Sequence, residues 1–380
     1  MSPRLPRRPM LLGLGGLVLG VPPTGRAAGA AVPPLHTSLP LRLPRDHGAH
    51  PAWRTEWWYL TGWLGRGAQP LDDPAPWGFQ LTFFRRRGPA PADHPSRFAA
   101  RQILSAHAAL TPPGGPGLRH AEAVARSGFG AAEAAEDDTR VHLRDWRLLR
   151  VVAPGRPVEG PGHHYLAEWS AGGMRARLRC ESTQPVLFQG ERGWSRKGPD
   201  PEQASLYLSE PQLQVHGELQ VDGRRHTLSG RAWLDHEWSE ALLHPEAVGW
   251  DWAGINLHDG GALTVFRLRR ADGSTLWAGG SHRPAGATEA RAFAPGELRF
   301  HPGRLWRSPA SGARYPVTWT IESPAGRHTL RARLDAQELD GRASTGAVYW
   351  EGLSDLFEAG GRPVGRGYLE MTGYAAALKL

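Results

Sequence analysis

Hydrophobic positions along this chain recur mostly at every second residue, in runs of eight to twelve broken by Gly, Pro and Asp. That period marks extended strands, and the breaks mark turns. The clearest run is Trp53 to Leu64. It puts Trp57, Tyr59, Thr61 and Trp63 on one face and Glu56, Trp58 and Leu60 on the other. Both faces carry bulk, so the strand is expected to be covered on both sides. Trp77 to Arg86 returns as a partner, and Gln102 to Leu110 follows, with Ile103, Ser105 and His107 sharing a face. The Ala-rich stretch His120 to Asp138 reads as a short helix or a loop excursion. Strands resume at Arg140 to Val152, His164 to Ser170, Met174 to Glu181, Leu213 to Val221 and His226 to Trp238. Asp222-Gly223, where both residues tolerate positive φ, turns the last two into a hairpin. Gln184 to Pro201 is a long connection.

A second set begins with Trp250 to Leu257 and Ala262 to Arg270, joined by His258-Asp259-Gly260-Gly261. It continues through Thr275 to Ser281, Tyr315 to Glu322, His328 to Leu334, Ala347 to Leu353 and Gly367 to Tyr374. Its opening echoes the first set. Trp57 to Leu64 and Trp250 to Leu257 share a first Trp, a third aromatic residue and a final Leu, and each is followed by a strand ending in Phe and Arg. Two similar all-β units are expected, at 53–240 and 241–380, each closed or nearly closed to hide its edges.

Between the units lies Ser229 to Asn256, which holds Trp233, Trp238, Trp250 and Trp252 with Asp235, His236, Glu237 and Asp251 among them. If the strand is extended, Trp233, Asp235 and Glu237 share one face, and Leu234, His236 and Trp238 share the other. The second set is expected to point inward, leaving Asp235 and Glu237 to pair with arginines. Two readings stay open: a clasp of hydrogen bonds and ion pairs at the junction, or a functional site. Glu351 and Glu370 are open to two readings, buried acids or, in preference, strand caps and arginine partners.

Composition changes the picture in three ways. The net charge is +8, but basic residues are interspersed with acids and no basic run exceeds Arg85 to Arg87. A nucleic-acid partner, which needs a concentrated basic face, is not expected. The only thiol is Cys180, so no internal disulfide can form. At the N-terminus, Arg7-Arg8 precede an apolar run from Met10 to Val21, with Ala28-Gly29-Ala30 offering a cleavage point. Residues 1–30 resemble a twin-arginine export signal, with an ordinary secretory signal as the alternative. Either makes the protein exported, with the periplasm as its expected location. The run is about 12 residues, too short to span a bilayer. Residues 31–52 form a Pro-rich lead-in. No cofactor or metal is expected, since His236-Glu237-x-x-Glu240 lacks the second His of a zinc helix. There is no Gly-x-Ser-x-Gly elbow for serine hydrolysis.

Seven segments in order resemble one family: EWWYLTGWL, WGFQLTFFR, SAHAALT, RAWLDHEWS, GWDW, YWEG and GYLEMTGY. Together they are similar to the AttH-like, carotenoid 1,2-hydratase-related proteins. The resemblance implies two tandem lipocalin-like (calycin) β-barrels that handle a hydrophobic, lipid- or isoprenoid-like ligand. It also implies two alternatives: hydration of an isolated double bond, or service as a periplasmic accessory to a membrane permease complex. The hydratases pair an Asp-His-Asn-Trp segment with a later Tyr-x-Asp. Asp235 to Trp238 matches the first with Glu in place of Asn, while Val265 to Leu268 stands where the second is expected and holds no acid. Alkene hydration needs a carboxyl still protonated at working pH and ring faces to stabilise a carbocation. Candidate catalytic residues are therefore Asp235, His236 and Asp251. Candidate ligand-binding residues are Trp57, Tyr59, His107, Trp238, Trp250 and Trp252.

Overall fold

The computed structural model describes residues 40–378, apart from 68–70, 72, 92, 156–160 and 242. The export segment and the start of the lead-in lie outside the described residues.

Thirteen strands build the first sheet: β1 (Thr55–Gly65), β2 (Trp77–Arg87), β3 (Gln102–Thr111), β4 (Arg119–Arg126), β5 (Ala132–Ala134), β6 (Arg140–Leu143), β7 (Trp146–Val152), β8 (His163–Ala171), β9 (Met174–Glu181), β10 (Leu187–Phe188), β11 (Trp194–Arg196), β12 (Ala204–Val221) and β13 (Arg224–Ser239). The second sheet has β14 (Ala247–Leu257), β15 (Ala262–Arg270), β16 (Thr275–Arg283), β17 (Arg291–Ala292) and β18 (Arg299–Pro302). A small hairpin of β19 (Leu305–Arg307) and β20 (Arg314–Pro316) stands apart. The second sheet then resumes with β21 (Thr318–Ser323), β22 (Gly326–Ala332), β23 (Glu338–Gly341), β24 (Ala347–Glu358) and β25 (Pro363–Met371). The first sheet is a nearly closed barrel and the second a half-barrel, two tandem lipocalin-like units. In each, the first strand lies between the second and the last: β2-β1-β13 in one, β15-β14-β25 in the other.

The strand β1 is covered on both faces, as its sequence demands. Trp58, Leu60 and Leu64 pack inside the first barrel. Tyr59 and Trp63 pack on the opposite face, against Trp252, Phe266 and Leu268 of the second unit. Burying each large apolar side chain contributes about 1.5–3 kcal/mol, so both faces have strong reasons to stay covered. The second unit keeps its own core around Ile255, Val265, Trp319 and Trp350. At Gly254 a Cβ would lie 2.5 Å from the Trp252 ring and 3.1 Å from Trp233, so only glycine lets these two indoles close on the seam.

Three elements differ from the sequence reading. Residues 119–126 are strand, not helix or loop. Ala121, Ala123 and Ala125 alternate toward the first core, and β4 pairs along the whole of β3. Arg140 to Val152 is a tight hairpin of β6 and β7 turning at Arg144, whose φ is +58°. The β12 strand begins nine residues early, at Ala204, and carries a bulge between Glu210 and Leu213. There Gln212, with φ +60°, re-aims its backbone N–H to Asn256 Oδ1 at 2.6 Å and its amide to the Leu257 and Gly261 carbonyls. Bulges bend a strand and redirect its groups; this one ties the two units together.

Candidate functional site

Where the two units meet, the repeat becomes a cavity. Trp57 and Tyr59 of β1 and Trp250 and Trp252 of β14 are the matched aromatic positions of the two copies, and all four line it. Their ladder partners extend the match. Phe84 lies opposite Trp57 and Leu268 opposite Trp250. Asp235 lies opposite Tyr59, and Glu370 lies opposite Trp252. The inner chamber has a volume of about 110 Å³ and adds Lys197, Tyr207, Glu237, Phe266 and Glu351 to its wall. It shares Thr55, Phe84, Trp250 and Glu370 with an outer cavity of about 460 Å³ that reaches exposed Arg86. A surface groove of about 1200 Å³ beside Trp77, Pro112 and Arg224 is larger but gathers no buried carboxyl.

The chamber is apolar, yet four carboxyls face it. Asp235 accepts from Ser209 at 2.5 Å, Trp233 Nε1 at 2.6 Å and Tyr207 at 2.7 Å. Burial outweighs these bonds, and its pKa is pushed up to about 7. Glu237 accepts from Ser205 and pairs with Lys197 at 3.0 Å. The Lys197 ammonium also lies over the Phe266 ring at 4.2 Å and the Tyr207 ring at 4.7 Å. Burial, together with Asp235 and Glu237 nearby, pushes Glu370 up to about 7. Burial and then Glu370 hold Glu351 well above the usual carboxylate range. The sequence reading had Asp235 and Glu237 paired with arginines, and Glu351 and Glu370 as caps or arginine partners. In the fold, hydroxyls, an indole and one lysine meet the first pair, and the second pair faces the chamber.

The other predicted site residues stand elsewhere. His236 and Trp238 occupy the opposite face of β13. His236 stacks on Trp58 at 4.6 Å inside the first barrel, and Trp238 lies under His50 at 3.7 Å. There Glu56 accepts from His50 Nδ1 at 2.7 Å, His236 Nε2 at 2.9 Å and Arg85 Nε at 2.7 Å. Burial alone would raise Glu56, but these cationic and N–H neighbours win and hold it well below the usual range. His50, Glu56 and His236 bring a ligand atom each within 4.8 Å, the geometry of a metal group among the described residues. His50 Nδ1 and His236 Nε2 are already committed to Glu56 Oε1, and Glu56 Oε2 to Arg85. Asp251 points into the second unit, bonded to Arg267 at 2.7 Å, Arg269 at 3.0 Å and Tyr374 at 2.9 Å. His107 lies beside the cavity, with Nδ1 2.6 Å from the Tyr349 hydroxyl and Nε2 2.7 Å from Ser344.

The fold thus gathers Asp235, Trp57, Tyr59, Trp250 and Trp252, and separates them from His236, Trp238, Asp251 and His107. Lys197 and Tyr207 are the chamber residues that the sequence reading does not single out, while Glu351 and Glu370 prove to face the chamber, the less favoured of their two readings. Two signals pointed to them: Lys197 is one of only two lysines, and Glu351 and Glu370 stand within the YWEG and GYLEMTGY segments.

Comparison with known proteins agrees with this architecture. No curated protein sequence matches the chain significantly. The crystal structure of an AttH from Nitrosomonas europaea is similar at 40% identity, covering 90% of this chain and 100% of that one, with a TM-score of 0.79. Kievitone hydratase from Nectria haematococca is similar at 13% identity over 92% and 96% of the two chains, with a TM-score of 0.63, a likeness of fold. The AttH-like family model matches residues 34–374. With the match running from the lead-in to the last strand, the chain belongs to the AttH-like family.

Proposed function

We propose that this protein binds a hydrophobic, unsaturated, isoprenoid-like ligand at the seam and adds water across one of its double bonds. One observation carries the reading: an aromatic chamber encloses carboxyls that burial raises far above the usual carboxylate range, Asp235 and Glu370 to about 7. An apolar wall selects an apolar ligand. Indole faces stabilise positive charge as it develops, and a neutral carboxyl is the acid that alkene protonation requires. The volumes suggest a division of labour, with the reacting end in the inner chamber and the rest of the ligand in the outer cavity. The structural neighbour named for hydrating kievitone uses the same fold, which is consistent with this chemistry. Residues 1–30 are read as an export signal, so the work is done in the periplasm.

The test is native mass spectrometry of the protein purified from its own cells, before and after organic extraction. Tryptophan-fluorescence titration with farnesol accompanies it, using wild type and Trp57→Ala. The expected result is an extractable apolar ligand, and farnesol binding that weakens at least about tenfold in Trp57→Ala, as loss of a buried aromatic anchor does. A ligand-free protein that binds no apolar compound would refute the reading. For export, N-terminal sequencing of the mature protein is expected to begin after Ala30.

A further inference from the structure

We propose that Glu351 is the proton donor of the seam chamber and delivers its proton from Oε1. The assignment rests on the proposed function above and names the acid that performs it.

The geometry singles out Glu351 among the four carboxyls. Both Asp235 oxygens are already acceptors, from Ser209, Trp233 and Tyr207. Glu237 is engaged by Lys197 and Ser205. Glu370 has the Trp250 indole beside it and is only half-buried. Glu351 is 1% exposed, and its two oxygens differ. Oε2 accepts from Gln80 Nε2 at 2.7 Å. Oε1 is buried and makes no hydrogen bond among the described residues. The Tyr59 hydroxyl, on the same chamber wall, interacts with the Glu351 carboxyl and is likewise buried without a partner in hydrogen-bond geometry. A buried polar atom is costly to leave unpaired. Two such atoms on one cavity wall mark the place where a ligand or a reacting water completes the bonding.

Gln80 is a positioning residue. Its amide also faces Thr82 Oγ1 at 3.1 Å and the Tyr349 hydroxyl at 3.4 Å, and Tyr349 is held by His107. Gln80 and His107 belong to the first unit, Tyr349 and Glu351 to the second, so this chain of bonds fixes the acid across the seam. Burial and then the Glu370 carboxyl hold the Glu351 carboxyl well above the usual range, which favours its protonated form. With Oε2 accepting from Gln80, the proton sits on Oε1.

The step balances. The Oε1 proton moves to one alkene carbon, and the π electron pair becomes the new C–H bond. The adjacent carbon becomes a cation beside the faces of Trp57 and Trp250. A water oxygen forms the C–O bond with a lone pair, and the proton it sheds returns to the Glu351 carboxylate. Alkene and water become an alcohol, and the acid is restored.

The experiment uses the mature full-length protein as wild type, Glu351→Gln and Glu351→Asp, with geraniol and farnesol as probes. Binding is followed by tryptophan fluorescence, hydration in D2O by mass spectrometry, and the protonated carboxyl by its infrared C=O stretch. The expected result is that Glu351→Gln binds the probes as wild type does and loses hydration by about a hundredfold or more, the usual worth of a positioned general acid. Glu351→Asp is expected to recover part of the rate, and Glu351→Gln to remove the Glu351 component of the infrared band while leaving that of Asp235 and Glu370. Hydration that persists in Glu351→Gln, or a band that Glu351→Gln leaves unchanged, overturns the assignment and leaves the proposed function standing. A wild type that binds probe but never hydrates it, whatever the band shows, overturns both.

Discussion

Asp235 and His236 are neighbours in the chain and face opposite ways: Asp235 lines the seam chamber, and His236 stacks on Trp58 inside the first barrel. The β1–β13 register produces the split. Tyr59 pairs with Asp235 and Trp58 with His236, so successive rungs of one ladder serve a cavity and a barrel core in turn. The Asp-His-Glu-Trp segment therefore faces two ways, Asp235 and Glu237 into the seam chamber and His236 and Trp238 into a packed clasp.

The clasp predicts a clean separation of effects for His236. Replacing it with Ala removes a donor to Glu56 and the stack on Trp58, which should cost about 1–3 kcal/mol of stability. Farnesol binding at the seam should be unchanged. Urea unfolding and fluorescence titration of the same variant check both. Lost binding in a variant of undiminished stability would place His236 in the site instead.

Asp251 anchors the second unit. Arg267 and Arg269 are each 5% exposed, and their guanidinium groups lie over the rings of Trp319 and Tyr374. Asp251→Asn keeps the shape but leaves two buried cations facing a neutral amide. Breaking a buried ion pair in this way costs about 3–5 kcal/mol. The expected outcome is a large fall in the unfolding midpoint, and a variant as stable as wild type would contradict it.

Acid sensitivity should come from the first barrel. Glu210 accepts from His163 Nε2 at 2.8 Å and Tyr165 at 2.5 Å. Burial alone would raise its carboxyl, but His163, His47 and Tyr165 bring it from its ordinary 4.5 down to about 2. A carboxyl lowered by folding stabilises the fold above pH 4.5, and that contribution vanishes as pH falls from 4.5 to about 2. It is worth about 3 kcal/mol. His47 acts in the same direction. Burial lowers its ring from 6.5 to about 3, so below pH 6.5 the unfolded chain takes up a proton that the fold refuses. Unfolding free energies measured from pH 7 to pH 3 should fall steadily, and the deficit of Glu210→Gln relative to wild type should shrink below pH 4.5. A deficit independent of pH would show that Glu210 is not the group that titrates.

Much of this was legible in the chain. Alternation in β1, β2, β14 and β15 named the strands, and the echo between Trp57–Leu64 and Trp250–Leu257 named the repeat, because a strand's period needs no partner to be seen. The Ala-rich β4 was not legible: alanine is a good helix former, and only pairing with β3 lays those partly buried alanines against the core. The lead-in was also opaque. Nothing in Arg45 to Ala49 says that His47 and Ala49 will be buried against the first barrel, where Trp58 Nε1 donates to the His47 carbonyl.

By itself, then, the sequence determined an all-β chain, two similar units, the pairs of residues sharing a strand face, and the aromatic positions that recur in both copies. These follow from local backbone geometry, which acts over a few residues. Only the tertiary structure decided which face looks where. A period of two says that Asp235 and His236 oppose each other but not which meets solvent, barrel or seam. Only the fold could bring Glu351 and Glu370, more than a hundred residues downstream, beside Asp235 and Tyr59. Burial raises a carboxyl's pKa only when distant strands close around it, so the chemistry of the site belongs to the fold.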